Sequence, residues 1–284
     1  MLLVVHGGPG SPYSVFTPVL RAWEKEFTVV HWDRRGCGRT RRRNGHPGAD
    51  ELTFDRLVED GIEVAEYLRD HFRTPKIVLL AGSMGTIIGL PMAQRRPDLF
   101  AAYVGTDFYV NMVDNERVGR RDTLDRLRAA GNRRGVAALE GIDEDPARWD
   151  FAQWTTRMRW SMGTDPVSPN MVVKLIMPLL LRNPDYSLVD ALHWLKGFGA
   201  INQAMFEQFM AFDARSLGTR FEVPFHLVQG ASDVVTLTGP AVEFFDDVEA
   251  PAKKLVLVGD APWATNPTAP PPGRPRADAW SRST

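Results

Sequence analysis

The stretch Leu79-Leu80-Ala81-Gly82-Ser83-Met84-Gly85 decides the fold of this chain. An apolar run at 77–81 predicts a buried strand, and the helical spacing at 84–96 predicts a helix that follows at once. A turn this tight needs small residues two positions before and after the serine, which Ala81 and Gly85 provide. We therefore expect the Ser83 hydroxyl at the end of the strand, near the positive end of the helix. An ordinary turn serine is the alternative interpretation.

Strand-like and helix-like segments alternate on both sides of this turn. Apolar or β-branched runs predict strands at 2–5, 27–32, 77–81, 101–104, 225–229 and 254–258. Helical periodicity between most of them predicts an α/β fold, a mostly parallel sheet with helices on both faces. The segment at 15–26 is one of these predicted helices, whereas the segment from Asp33 to about Asp50 is predicted to be a loop.

The middle of the chain has a different pattern. Strand runs disappear between 106 and 217, and helical patterns rich in Trp, Met and Arg replace them. Because ligands bind at the carboxyl ends of parallel strands, this block is expected to cap the site there. The predicted organisation is a core formed by 1–105 and 218–262 with a helical cap inserted at 106–217. The Pro- and Arg-rich segment 263–284 is predicted to be disordered.

Composition excludes several classes of protein. The 284 residues include 34 Lys and Arg against 35 Asp and Glu, so the formal net charge of −1 gives no general attraction to nucleic acid or to anionic membranes. The single cysteine, Cys37, cannot form an internal disulfide or a multi-cysteine zinc site. No run of about 18 apolar residues is present, and no signal-peptide core begins the chain. A cytoplasmic protein is the expectation.

A glycine loop follows the first predicted strand. The sequence His6-Gly7-Gly8-Pro9-Gly10 allows backbone N–H groups to approach a substrate closely, as an oxyanion hole requires. Gly8 is the natural donor, together with the amide of Met84 just after the serine. A Gly/Pro turn without a role is the alternative, and His6 is expected to hold the loop rather than to act as a base.

Two further segments carry charged residues at strand ends. Six arginines lie between 34 and 43, after Asp33, and we expect a glycine turn held by the side chains of Asp33 and Arg35 rather than a nucleic-acid patch. Near the end of the chain, Asp233 follows a predicted strand at its carboxyl end. In a serine hydrolase this aspartate would orient a histidine. A turn aspartate is the alternative.

Together these segments resemble the α/β-hydrolase superfamily, and more closely its proline iminopeptidase-like branch of serine hydrolases. The resemblance rests on the loop at 6–10, the turn Asp33-Arg34-Arg35-Gly36-Cys37-Gly38-Arg39-Thr40, the serine turn at 82–85 and the helix end at 93–98, and it covers roughly 1–260. It implies that Ser83 is the nucleophile, that Gly8 and Met84 form the oxyanion hole, and that Asp233 is the acid of the triad. It implies no cofactor and no metal. Glu116, in the predicted cap, is a candidate for holding a substrate amine, with a solvated helix-start acid as the alternative.

The sequence departs from this pattern at the triad histidine. The fold has the chain order serine, acid, histidine, so the histidine is expected near Pro262 or Trp263. None is present there, and none follows His226. His193, in the predicted cap, is the one substitute that we keep. The expected explanation is a disrupted 3′ reading frame, together with a late start that omits the first strands of the fold.

Three function classes remain open. The first is a serine hydrolase of aminopeptidase or esterase type, acting on a small molecule or short peptide through an acyl-enzyme on Ser83 and impaired by the missing histidine. The second is a non-catalytic ligand-binding protein of the same fold. The third is an interaction module that uses the arginines between 34 and 43. The sequence does not determine the oligomeric state.

Overall fold

The structure is a computed structural model that describes residues 1–8, 10–48, 51–166 and 169–259, without the side chains of 188 and 195–198. The predicted disordered segment 263–284 and the expected position of the triad histidine lie outside the described residues. Within them, no helix is both long and apolar enough to cross a membrane.

One parallel sheet organises the described chain, as the sequence predicts. Its strands are β1 (Leu2–Val5), β2 (Val29–His31), β3 (Ile77–Gly82), β4 (Phe100–Thr106), β5 (Phe225–Gly230) and β6 (Lys253–Val258). The strand order is β2-β1-β3-β4-β5-β6, and every neighbouring pair is parallel. The carboxyl ends of all six strands therefore meet at one edge of the sheet, where ligands bind in this class of fold.

Helices connect the strands and form the block between β4 and β5. They are α1 (Thr17–Leu20), α2 (Gly38–Asn44), α3 (Phe54–Phe72), α4 (Gly85–Arg95), α5 (Met112–Ala129), α6 (Arg133–Glu140), α7 (Phe151–Gly163), α8 (Met177–Arg182), α9 (Leu188–Ala204), α10 (Phe206–Met210) and α11 (Thr238–Asp247). Short 3-10 segments occur at Tyr13–Phe16, Arg21–Lys25, Pro146–Arg148 and Ala214–Leu217, and a π-helical turn occurs at Val172–Ile176.

Burial along β1 shows that both faces of the sheet are covered. Leu3 and Val5 join the main hydrophobic core with residues of α3 and α4, whereas Leu2 and Val4 join a smaller cluster on the other face. Side chains of a strand alternate between the two faces, so a continuous apolar run is what a doubly covered strand requires. The short apolar run at the start of the sequence thus has a direct structural cause.

Two local expectations were wrong. The segment at 15–26 is not one helix but α1 flanked by two 3-10 segments, because Pro12 and Pro18 restrict the backbone at its start. The segment from 33 to about 50 is not all loop, because α2 begins at Gly38. An Asp33 carboxylate oxygen accepts the N–H of Arg39 at 2.9 Å, which satisfies one free amide of the first turn.

Phe225 on β5 provides a test of the main core. Its ring is fully buried and contacts the rings of Tyr103, Phe108, Phe221, Phe244 and Phe245. Phe225→Ala is expected to lower the free energy of unfolding by about 3–5 kcal/mol, measured by chemical denaturation, because it leaves a cavity in a packed cluster. Phe72, at 49% exposure, is the control, and Phe72→Ala should change stability by about 0.5 kcal/mol or less. Equal losses in both variants would contradict this description of the core.

Candidate active site

The serine turn has a strained backbone that its neighbours hold in place. Ser83 lies between β3 and α4 with φ of +54°, a left-handed conformation that costs a non-glycine residue about 1–2 kcal/mol. Its N–H donates to the carbonyl oxygen of Thr106, at the end of β4, at 2.8 Å. A Cβ on Gly85 would lie 2.2 Å from the carbonyl oxygen of Val5, so only glycine lets α4 begin this close to β1. The backbone therefore has the strained strand-to-helix form of a nucleophile elbow, at the edge of the sheet.

The predicted oxyanion loop lies against the serine. A Cβ on Gly7 would lie 2.7 Å from Ser83 Cβ and 2.8 Å from the carbonyl oxygen of Gly82, so the close approach requires glycine. Gly8 has φ of +43°, and its carbonyl oxygen accepts the N–H of Ser11 at 3.0 Å. Met84 is the first residue after the serine and precedes α4, whose free amides make its start favourable for negative charge. The structure therefore brings the loop and the serine turn together, whereas Pro9 lies outside the described residues.

A buried arginine braces this loop. Arg34 is 1% exposed, and its guanidinium donates to Nε2 of His6 at 3.2 Å and to the carbonyl oxygens of Gly7 and Gly8 at 3.4 Å. His6 Nδ1 in turn donates to the carbonyl oxygen of Gly7 at 2.8 Å. Burial lowers the pKa of His6 well below its usual value, and the nearby Arg34 charge lowers it further. His6 is therefore neutral and holds the loop.

The two side chains expected to hold the glycine turn have separate tasks. Asp33 accepts from Ser14 Oγ at 2.9 Å as well as from the start of α2. Arg35 instead reaches α3, where it makes two hydrogen bonds to the carboxylate of Asp60 at 2.8 and 2.9 Å. Arg35 therefore ties the turn to a neighbouring helix, and only Asp33 caps it locally.

Asp233 lies just beyond β5 and is held by its own turn. One carboxylate oxygen accepts the N–H groups of Val235 and Thr236 at 2.7 and 3.0 Å, and the other accepts the Thr236 hydroxyl at 2.6 Å. Burial raises the pKa of Asp233 in spite of these bonds. A cavity of about 250 Å³ adjoins it, with Asp122 and Arg126 of α5 in the lining. Asp233 is thus available at the edge of the sheet where the acid of a triad is expected.

Glu116 lies in a fully buried ion pair. Its carboxylate oxygen Oε2 is 3.1 Å from Nε of Arg157 on α7, and both side chains have no solvent exposure. Burial raises the pKa of Glu116, and the Arg157 charge opposes that rise. A Cβ on Gly119 would overlap the Arg157 guanidinium, so α5 accommodates the arginine only through a glycine. A substrate amine that used Glu116 would have to share this carboxylate with Arg157.

Asp107 is a second carboxylate at the same edge, and the local sequence pattern did not single it out. It follows β4 directly and has φ of +50°, and the neighbouring Thr106 hydroxyl favours its charged form. Burial and the nearby carboxylate of Asp233 raise the pKa of Asp107 to about 7. The available signal was an aspartate at the end of a parallel strand, the same signal that selected Asp233. It was overlooked because the predicted strand stops at Val104.

The described histidines lie away from the predicted triad position. His6 is committed to the loop, His31 and His226 lie on strands β2 and β5, His46 follows α2, His71 lies in α3, and His193 lies in α9. Among the hydrogen bonds between described residues, none joins the Ser83 hydroxyl to a histidine. Around the serine the structure assembles the glycine loop and the start of α4, and the backbone of Asp107 follows the neighbouring strand.

The family model described as alpha/beta hydrolase fold matches residues 1–141, the part of the chain that contains both the glycine loop and the serine turn. With the six-stranded parallel sheet, this match shows that the chain has the α/β-hydrolase fold.

Two individual relatives show which hydrolases the chain resembles in sequence. A Bacillus subtilis protein named as a probable aminopeptidase is 26% identical over 265 residues, which span 89% of this chain and 80% of that protein. A proline iminopeptidase of Thermoplasma volcanium is 31% identical over 92 residues, 32% of this chain and 29% of that protein. Both names denote hydrolases, so the family resemblance is to hydrolytic enzymes.

A solved structure agrees at the level of the fold. The proline iminopeptidase-related protein of Thermus thermophilus superposes with a TM-score of 0.57 at 22% identity, over 94% of this chain and 84% of that one. At this identity the likeness concerns the path of the backbone, and it extends over the helical block as well as the sheet.

The buried ion pair gives a prediction about stability. Arg157→Met is expected to lower the free energy of unfolding by about 3–5 kcal/mol in chemical denaturation, because it leaves the Glu116 carboxylate buried without its partner. The double variant Glu116→Gln/Arg157→Met should be more stable than Arg157→Met alone. Arg128→Met, which breaks an exposed pair with Glu140, is the control and should change stability by about 1 kcal/mol or less. A loss no larger than the control's would show that the pair is solvated.

The raised pKa of Asp107 gives a prediction about pH. An unfolded aspartate loses its proton near pH 3.8, whereas the folded one keeps it to about pH 7, so Asp107 opposes folding increasingly as pH rises between these values. Asp107→Asn should therefore stabilise the protein at pH 8 and change its stability little at pH 4, measured by thermal unfolding at both values. Asparagine tolerates the left-handed backbone. An equal effect at both pH values would show that Asp107 ionises normally in the folded protein.

Proposed function

We propose that this chain is a serine hydrolase that cleaves an ester or amide bond in a small molecule or short peptide through an acyl-enzyme on Ser83. The observation that carries the proposal is the left-handed Ser83 between β3 and α4, directly against the glycine loop. Such strain persists only where the surrounding structure enforces it, and it is common at active sites.

The geometry fits acyl transfer. The Ser83 oxygen attacks the carbonyl carbon, and negative charge develops on the carbonyl oxygen. Amides of Gly8 and Met84 would stabilise that charge, each such donor being worth roughly 3–4 kcal/mol in related chemistry. The bond to the leaving group then breaks, and water hydrolyses the acyl-enzyme.

The names of relatives suggest the substrate. An aminopeptidase and a proline iminopeptidase both act at the amino end of a peptide, so we propose an N-terminal residue, or an ester of similar size, as substrate. Glu116 is the candidate for contacting the substrate amine, in competition with Arg157. The proposed setting is the cytoplasm, without a nucleic-acid or membrane partner.

A non-catalytic ligand-binding protein is the second candidate. It is favoured by one observation, that the printed sequence contains no histidine after Asp233. Without an effective base, a serine hydroxyl is a poor nucleophile, and loss of a triad member costs several orders of magnitude in turnover. We therefore expect weak turnover of p-nitrophenyl esters and of proline amides.

Labelling by a fluorophosphonate separates the two candidates. The wild-type chain should be labelled slowly, over hours, at Ser83, because this probe reports nucleophilic serine without requiring turnover. Intact-mass and peptide mass spectrometry would locate the label. Ser83→Ala is the negative control, and Ser216→Ala, which removes an exposed serine of the 3-10 segment Ala214–Leu217, is the control for an unrelated hydroxyl.

Each outcome supports one of the two candidate functions. Labelling of the wild type and of Ser216→Ala, but not of Ser83→Ala, supports the hydrolase. Absence of labelling in the wild type after prolonged incubation, in a sample that is folded by circular dichroism, supports the ligand-binding alternative.

A further inference from the structure

Two neighbouring strands end in the same unusual way. Gly82 of β3 and Thr106 of β4 are the last paired residues of their register, so Ser83 and Asp107 are the residues that follow on each strand. Both are non-glycine residues with left-handed φ, +54° and +50°. The hydrogen bond from Ser83 N–H to the Thr106 carbonyl oxygen joins the two turns at 2.8 Å. Adjacent strands lie about 4.8 Å apart, which places the Asp107 backbone beside the serine.

The surroundings of Asp107 hold it in this position. Its N–H donates to the carbonyl oxygen of Val228 on β5 at 3.4 Å. The next amide, that of Phe108, donates to Oε1 of Gln229 at 2.8 Å, while Nε2 of Gln229 donates to the carbonyl oxygen of Thr236 at 2.7 Å. Gln229 is fully buried. It therefore fixes the strained turn at Asp107 relative to the turn that contains Asp233.

The phenol of Tyr13 completes this cluster. A Cβ on Gly7 would lie 2.7 Å from both Tyr13 Oη and Ser83 Cβ, so the phenol and the serine flank the same point. The Asp107 carboxylate contributes to raising the pKa of Tyr13, which keeps the phenol protonated and able to donate a hydrogen bond. Tyr13 thus closes the side of the serine that faces the glycine loop.

The titratable groups that face Asp107 come from its own segment and from two others. They are Tyr13 from the segment after β1, Tyr109 from the segment after β4, and Asp233 from the segment after β5. The two tyrosines are neutral at physiological pH, because burial raises both pKa values. Burial also raises the pKa of Asp233, and its carboxylate favours the protonated form of Asp107.

We propose that Asp107 is the proton acceptor for Ser83, doing the work that a histidine does in a serine–histidine–acid triad. The proposal rests on the proposed function, since it presupposes that Ser83 is a nucleophile. It is carried by the paired left-handed turns, by the hydrogen bond between them and by the buried network that fixes Asp107.

The proton balance closes without a further reactant. The Ser83 hydroxyl gives its proton to the ionised Asp107 carboxylate, directly or through one water, as Oγ bonds to the carbonyl carbon. The protonated Asp107 then gives that proton to the leaving amine or alkoxide when its bond breaks. In the second half-reaction Asp107 takes a proton from the attacking water and returns it to Ser83 as the acyl group leaves.

The test measures the rate of fluorophosphonate labelling of Ser83 between pH 5 and 9 in wild type and two variants. Asp107→Asn keeps the size of the side chain, and Asp107→Gly suits the left-handed backbone and opens space for an added anion. The wild-type rate should rise with a midpoint near pH 7. Both variants should lose that midpoint and label on the order of 100-fold more slowly, and sodium formate should restore labelling in Asp107→Gly.

Two controls isolate Asp107 from other groups. Asp114→Asn removes an exposed carboxylate at the start of α5, and His193→Gln removes the histidine considered as a substitute base. Both should label at the wild-type rate with an unchanged pH profile.

Failure of this inference and failure of the proposed function give different results. If wild type is labelled at Ser83 and the Asp107 variants keep its rate and midpoint, Asp107 is not the base although the chain is a serine hydrolase. Loss of labelling in His193→Gln likewise overturns the inference. If wild type is not labelled at all, the proposed function fails and this inference with it. Restoration of labelling by formate in Asp107→Gly, but not in Asp107→Asn, supports Asp107 as the proton acceptor. A purely structural role of Asp107 would not respond to an added carboxylate.

Discussion

The close contact between the start of α4 and the end of β1 is the constraint on which the rest of the site depends. Because a side chain at Gly85 would collide with the carbonyl oxygen of Val5, the helix can begin here only with glycine. The short path from β3 into that helix then forces Ser83 into a left-handed conformation, which the hydrogen bond to Thr106 holds. The half-buried position of Ser83 and the start of α4 beside it follow from this geometry.

The helical block is bonded to the loop that contains Asp233. Asn115 of α5 donates to the carbonyl oxygen of Val235 at 2.9 Å and accepts the N–H of Leu237 at 3.0 Å. Ser161 of α7 donates to the carbonyl oxygen of Val234 at 3.0 Å. These bonds lie next to the buried ion pair of Glu116 and Arg157. Because of them, a shift of the helical block would also move the backbone beside Asp233. The block is therefore part of the framework that holds the Asp233 turn.

Local patterns were sufficient to predict the strands, the serine turn and the glycine loop, because each depends on neighbouring residues in the chain. They were not sufficient where a side chain meets a distant segment. Arg34 is one of six arginines between 34 and 43, and nothing in the local sequence indicated that it would be buried under the glycine loop. Arg157 meets Glu116 only through the packing of α7 on α5, and Asp107 acquires its environment from β5, more than a hundred residues away.

A carboxylate base, unlike an imidazole base, does not become a cation when it accepts a proton. An imidazole that accepts a proton becomes a cation, whereas Asp107 becomes neutral while the negative charge moves to the substrate oxygen. The repulsion between Asp107 and Asp233 is relieved in that step, and the charge arrives beside the start of α4 and the loop braced by Arg34. Since the pKa of Asp107 is about 7, a substantial fraction of the chain holds the ionised base near neutral pH. Burial therefore makes Asp107 a stronger proton acceptor than an exposed aspartate, at a pH where it is still partly ionised.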